Sequence, residues 1–336
     1  MARGLDVGTC FLVCASKENN DPNSEVAIKS VRDAFLDIEA DQATLNMLKM
    51  SNVSFVPGED EEVFIIGEPA LNMANLFKRE ARRPLSKGVI SAGESDAERM
   101  LVILLKNILD EPKVEDEVVY YSVPAKPVDS DKDVVYHEAM FKKLIDSMGF
   151  KATSMNEAAS VVYSNCSTEQ FTALASSFGA GMVNTSLVYQ TMVGMSFSIA
   201  TSGDWVDQSA AAAVGTTATK IMSIKEKGVD LLDPSKGDPK YIREREAIVV
   251  YYKNLIHRVV DTIKREFKKD NSSIELPDGI PWIISGGTSK AINFLEFFKQ
   301  EFSKVKDFPI NISEIRMAND PLNDVAKGLL IAAMNE

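Results

Sequence analysis

A strand, a glycine turn and a second strand occur twice in this chain, about 170 residues apart, and that duplication limits the folds open to it. The first copy is residues 4–15 (GLDVGTCFLVCA) and the second is residues 171–190 (FTALASSFGAGMVNTSLVYQ). A third strand-like run follows each, at residues 26–38 with a loop near 29–33, and at residues 195–200 where Met195, Phe197 and Ile199 alternate with small residues. Two such meanders predict two related domains whose glycine turns face one cleft. At 336 residues the chain has room for about two domains of roughly 150 residues.

The intervening segments predict an α/β fold. Residues 118–123 are almost wholly apolar and end at Pro124, the signature of a strand buried on both faces of a mostly parallel sheet. Helical spacing of apolar residues appears at 98–109, 132–148, 156–164 and 241–269, and from 324 to about 334. Residues 54–66 read as a hairpin turning at Pro57-Gly58, and residues 281–284 as a strand entering Ser285-Gly286-Gly287-Thr288. Residues 229–241 read as a loop, with Leu231 and Leu232 either forming a subunit contact or packing on their own domain.

Charge and cysteine usage exclude several classes. A net charge of −12 repels a phosphate backbone, so nucleic acid is not expected as a direct partner. The basic run Arg79, Arg82, Arg83 and Lys87 reads as a solvated loop or helix end. Cys10, Cys14 and Cys166 are too few for a disulfide framework and suit a reducing cytosol. With His137 and His257 in unrelated segments, a zinc site is not expected. No stretch reaches the roughly 18 apolar residues a membrane span needs, and a strand-like run so close to Met1 leaves no room for a signal peptide or anchor helix. A cytoplasmic protein without an intrinsic membrane anchor is the expectation.

Three glycine turns sit at strand ends: Asp6-Val7-Gly8-Thr9, Gly179-Ala180-Gly181 and Gly286-Gly287-Thr288. Without a Cβ in the way, backbone N–H groups in such turns approach an anion and form a concave site for it. One turn of this kind is more often structural. Three of them, two in repeated meanders, point to a polyphosphate.

Order and spacing of these segments resemble the actin superfamily, which also holds heat-shock chaperone ATPases and sugar kinases. Residues 6–14 resemble its first phosphate loop, 177–187 its second and 283–289 its adenosine motif. Residues 118–125 with 156–163, and 320–333 (DPLNDVAKGLLIAA), resemble its two connecting segments. The run SIKEKG at 223–228, the stretch NEAASVVYS at 156–164 and RPLSKGVI at 83–90 are similar to actins rather than to kinases or chaperones. Length and segment order are nearest to the compact bacterial filament branch that includes MreB and MamK.

The resemblance implies two actin-type domains around a nucleotide cleft, each a five-stranded mixed sheet with helices on both faces. It places them at 1–155 plus 321–336 and at 156–320, with small subdomains at about 31–85 and 203–245. It implies ATP or ADP with Mg2+ as cofactors. Asp6 would hold the metal through waters. Gly8, Thr9 and Cys10 would offer amides to the β-phosphate, with Gly179, Ala180, Gly181 and Met182 opposite and Ser177 opening that second loop. Lys225 and Glu226 would meet ribose and adenine, Gly286, Gly287 and Thr288 would admit adenine and the α-phosphate, and Glu157 would orient the attacking water. Self-association into filaments is the implied partnership, with any adaptor or cargo unidentified.

One departure matters. The second loop normally opens on aspartate, and here it opens on Ser177, with Asn184 at a later position that is often acidic. Serine supplies no charge for the metal's water shell, so binding is expected to survive and hydrolysis to be slow. A non-polymerising nucleotide-binding regulator or adaptor of the same fold is the competing expectation. A small-molecule kinase would need a base beside an acceptor pocket, and the sequence offers no candidate.

Overall fold

The computed structural model describes residues 2–18, 21, 24–51, 53, 55–58, 62–77, 79–269 and 276–336. Its first half runs β1 (Ala2–Val7), β2 (Phe11–Lys17), β3 (Val26–Arg32), β4 (Phe35–Glu39), α1 (Gln42–Met50), β5 (Phe55–Pro57), β6 (Glu62–Ile66), α2 (Glu68–Phe77), β7 (Leu85–Ser86), β8 (Val89–Ile90), α3 (Ala97–Leu109), β9 (Val118–Val123), α4 (Val134–Ser147) and β10 (Lys151–Asn156). The second runs α5 (Glu157–Asn165), β11 (Ala173–Phe178), β12 (Val183–Tyr189), β13 (Met192–Ile199), α6 (Gly203–Val214), α7 (Ala218–Glu226), α8 (Ile242–Lys269), β14 (Ile280–Ser285), α9 (Phe294–Phe302), β15 (Ile312–Met317) and α10 (Asp324–Met334).

The duplication read from the sequence is a duplication of topology. One five-stranded sheet has the order β10-β9-β1-β2-β3, the other β15-β14-β11-β12-β13. In each, a three-strand antiparallel meander is extended by two parallel strands. Even the turns match: Val7 pairs Leu12 and Phe178 pairs Val183, leaving four residues between the paired ends in both copies. The chain is therefore an α/β protein built of two mixed sheets with helices packed on them.

Apolar spacing explains the helices that flank the sheets. In α3 the buried face is Met100, Leu101, Leu104, Leu105 and Ile108, packed with Leu5, Leu12 and Val119 of the first sheet. In α8, Ile248, Tyr252, Leu255, Ile256, Val259 and Ile263 cover the second sheet at Leu187, Met195 and Trp282. Asp133 caps α4 by accepting from the Tyr136 amide, and Asn156 caps α5 by accepting from the Ala159 amide. A smaller sheet, order β4-β6-β5, has its own core with α1 and α2 through Leu36, Leu48, Ile65 and Ala70. By contrast α6 and α7 share the core of the second sheet through Val206, Ala210, Ile221 and Ile224. No helix among the described residues is long and apolar enough to cross a membrane.

Several expectations shift. The predicted loop near residues 29–33 is strand up to Arg32, and the break falls at Asp33 and Ala34 instead. The cause is pairing with β2, which carries Arg32 opposite Phe11 before the chain bends into the smaller sheet. Ser54 and residues 59–61 of the expected hairpin lie outside the described residues, while Gly58 does close on Glu62. Leu231 is buried in the second core and Leu232 is exposed. The basic run is not free charge: Arg79 pairs with Asp37, Arg82 with Glu94 and Asp96, and Arg83 with Asp204.

Two helices join the halves. α5 leaves β10 of the first sheet and packs on β11 and β12 of the second, whereas α10 follows β15 and packs back on β1. They cross at Gly328, where an added Cβ would overlap the Ser160 carbonyl oxygen. On its other side α10 lies against Gly4 of β1, with no space for a Cβ between Ala326 and Leu330. Backbones this close leave no route for relief by rotamer change. Gly328→Val is expected to lower stability by about 1–3 kcal/mol or more through overpacking. A thermal melt checks this, and an unchanged midpoint would mean that the crossing can open without loss.

Candidate nucleotide cleft

The two equivalent turns close in the same way. The Gly8 N–H donates to Phe11 O at 3.1 Å, and the Gly179 N–H donates to Met182 O at 2.9 Å. These two amides are thus engaged inside their turns, which differs from the expectation that they face a ligand. The amide positions left between the closing pairs are Thr9 and Cys10 on one side, Ala180 and Gly181 on the other.

The turns meet at the centre of the molecule. A Cβ on Gly181 would overlap Thr9 Oγ1 and fall 2.5 Å from the Gly88 amide nitrogen. That amide, in the tight turn between β7 and β8, donates to Thr9 Oγ1 at 3.0 Å. The third turn is fastened to the second. Thr288 Oγ1 donates to Gly179 O at 2.8 Å, Ser202 Oγ donates to the same oxygen at 2.6 Å, and the Gly286 N–H donates to Pro321 O at 3.0 Å.

A cavity of about 410 Å³ opens beside this junction. Asp6, Gly8, Thr9, Cys10, Glu157, Ser177, Gly179, Ala180, Gly181, Met182, Lys225, Glu226, Gly286, Gly287 and Thr288 all line it. Every residue assigned to the nucleotide site from the sequence therefore lines one space, while Asn184 lies buried behind it. The sequence reading did not include Arg32, Asp207, Tyr252 and Lys290, which line it too. Their side chains reach the cavity from elements far apart in the chain, and no local spacing marks them.

Two carboxyls sit at the floor. Asp6, at the end of β1, accepts from Ser122 Oγ at 2.9 Å. Glu157, in the first turn of α5, accepts from Asn184 Nδ2 at 2.7 Å and lies beside Ser177. Burial pushes Asp6 up to about 6 against the lowering effect of Ser122. Burial also pushes Glu157 up to about 8, reinforced by the charge of Asp6 and opposed by Ser177. Of the residues that replace the usual acids, Asn184 is thus a neutral donor to Glu157, and Ser177 adds no charge beside it. Asn184 also ties the halves together, its side-chain oxygen accepting from the Ala125 amide at 2.9 Å.

Lys225, Glu226 and Arg32 on the walls are already paired. Lys225 Nζ lies 2.7 Å from Asp207 Oδ2 and 3.2 Å from Gly203 O. Glu226 accepts from Arg32 Nη2 at 2.7 Å, across the cleft from one half to the other. Arg32 also reaches Glu68 and stands over the Phe11 ring. Burial holds the Cys10 thiol up at about 11, which disfavours the thiolate.

Mirrored mixed sheets, twin closing turns and a cavity between them define an actin-type fold. The chain belongs to the volactin family, whose description matches residues 1–333. Among solved structures it is similar to MamK in a double-helical filament, at 16% identity over 99% of this chain and 98% of that one, with a TM-score of 0.71. It is similar to MreB5 of Spiroplasma citri bound to ADP, at 15% identity over 97% and 94%, TM-score 0.66. It also resembles the ethanolamine utilization protein EutJ from Carboxydothermus hydrogenoformans, at 12% identity over 99% and 89%, TM-score 0.53. No curated protein matches by sequence.

The raised carboxyls set a pH dependence. Unfolded, Asp and Glu titrate near 4; in the folded chain burial lifts both Asp6 and Glu157 above that, toward neutral pH, with Glu157 the higher. The folded chain then binds the extra protons, so these groups make stability fall as pH rises through that window. Without magnesium or nucleotide, Glu157→Gln is expected to raise the melting midpoint at pH 8 and flatten its decline between pH 6 and 8. A midpoint that drops, or an unaltered slope, would contradict this placement of the charge.

Proposed function

We propose that this chain is an actin-like cytoskeletal subunit that binds ATP or ADP with magnesium in the cleft and assembles into filaments in the cytoplasm. The observation carrying this reading is the convergence of three glycine turns and two half-buried carboxyls on one cavity between the two sheets. Nucleotide is present in the similar MreB5 structure, and a filament is the state of the similar MamK structure. The units that would close on the nucleotide are 1–155 with 321–336 and 156–320. Small subdomains would lie at about 31–85 and 203–245.

Magnesium suits the donors at the floor. Hard oxygens are the ligands it takes, and it retains waters while using one or two carboxylates plus substrate phosphates. Asp6, with Glu157 nearby, would hold such a hydrated ion, and no group of three His, Cys, Asp or Glu among the described residues forms an all-protein cage. The ion would neutralise charge on the phosphates. Thr9, Cys10, Ala180 and Gly181 would present amides to the polyphosphate, while Gly286, Gly287 and Thr288 would border the base. Lys225 stays with Asp207 and would line the sugar side together with Glu226. Glu157, held by Asn184 and beside Ser177, would orient water.

Ser177 and Asn184 also favour slow hydrolysis, because neither adds charge where water must be activated. The same feature supports a second reading, a nucleotide-binding regulator or adaptor that does not polymerise. Pelleting and negative-stain microscopy separate the two. Filaments are expected with ATP and equally with a non-hydrolysable analogue, with slow phosphate release that Ser177→Asp raises. A monomer at high concentration with every nucleotide would overturn the filament reading.

A further inference from the structure

A second cavity, of about 300 Å³, lies next to the cleft. It adjoins the nucleotide cavity at Cys10, Arg32, Asp204, Asp207 and Met222, but none of the three glycine turns contributes a glycine to it. One wall is the bend at Asp33 and Ala34 with residues 80–86 of the first half; the facing wall is α6 and the start of α7 in the second. Its size is at the lower end of small-molecule pockets and equals about ten waters at roughly 30 Å³ each.

Asp33 is the feature that demands an occupant. The residue is 1% exposed, and neither carboxylate oxygen has a hydrogen-bond partner. Its own backbone is fixed, the N–H donating to Cys10 O at 2.9 Å, so the side chain is aimed by the bend after β3. The Leu85 amide and the Arg83 guanidinium approach it, yet no hydrogen bond of acceptable geometry forms. Burial holds this carboxyl well above its ordinary value. On the facing wall Asp207, 4% exposed, gives Oδ2 to Lys225 and leaves Oδ1 without a partner. Orphaned buried acceptors of this kind carry an uncompensated desolvation cost, larger when charged.

The nearby cations are otherwise engaged. Arg32 serves Glu68 and Glu226, and Arg83 serves Asp204 at 3.2 Å. The lining also carries Glu80, so four carboxylates face two guanidiniums. A bare metal ion is a poor match, since no three acidic side chains among the described residues converge as a ligand set. Apolar lining from Leu71, Ala218 and Met222 instead suits a short hydrocarbon body carrying N–H donors.

We propose that this cavity binds a small organic cation, an alkylammonium or alkylguanidinium, whose N–H groups satisfy Asp33 in one half and Asp207 in the other. Spanning both walls, the ligand stabilises the closed arrangement of the two halves. This proposal does not depend on nucleotide binding.

Isothermal titration calorimetry of the full chain at fixed ionic strength tests it, with 1,4-diaminobutane and methylguanidinium as probes. Tetramethylammonium, which has charge but no N–H, and potassium chloride are the comparisons. Saturable binding of at least one N–H cation is expected, with the two comparisons weaker by tenfold or more. Asp33→Asn should weaken that binding tenfold or more while leaving the melting midpoint unchanged or raised, because a buried uncompensated acid is removed. Ala218→Phe, which fills the cavity and leaves its charges intact, should block the probes as well. Absence of saturable binding, equal binding of tetramethylammonium or potassium, or binding indifferent to both variants would each overturn the proposal.

Discussion

Two turns of the same length and the same closing hydrogen bond, one from each sheet, touch at Gly181 and Thr9, and the cleft is arranged around that touch. With glycine at 181 the backbones approach until the second turn lies against the Thr9 hydroxyl and the Gly88 amide. Any larger residue there would hold the halves apart. Gly8 and Gly179 close their turns with their own amides, which fixes the shape that the remaining amides inherit. The constraint is therefore geometric before it is electrostatic.

What holds the halves in register lies on both sides of that contact. Behind it, α5 and α10 cross with no side chain between them at Gly328 and Ser160, and α10 rests on Gly4. Beside it, Asn184 reaches from β12 to the Ala125 amide, and Ser198 Oγ donates to Ala125 O at 2.7 Å. In front of it, Arg32 with Glu226 and Arg83 with Asp204 bridge the two halves. The rear contacts are packed backbone, while the front ones are partly exposed ion pairs, which in general contribute little.

Much of this was legible in the sequence because the relevant signals are local. Twin glycine turns, the apolar run of β9 and the stripes of α3 and α8 each follow from a few adjacent residues. Strands β10 and β15 were not anticipated: as sheet edges, KATSMN and ISEIRM carry polar faces that resemble loops. The break at Asp33 was misplaced because β3 continues only through its ladder with β2, a long-range pairing. All the singled-out site residues reach one cavity, but their bonding was invisible. Nothing in the sequence joins Lys225 to Asp207, Glu226 to Arg32 or Asn184 to Glu157. Those pairs depend on how α6 meets α7, how α7 meets the end of β3 and how α5 meets β12, which no periodicity encodes.

The central claim is that amides from both turns grip one polyphosphate. Hydrogen–deuterium exchange on the full chain, with and without ADP and magnesium, reads it directly. Residues 8–11 and 179–182 should gain protection together, at the same nucleotide concentration. Protection confined to one turn, or absent from both at saturating nucleotide, would contradict the account.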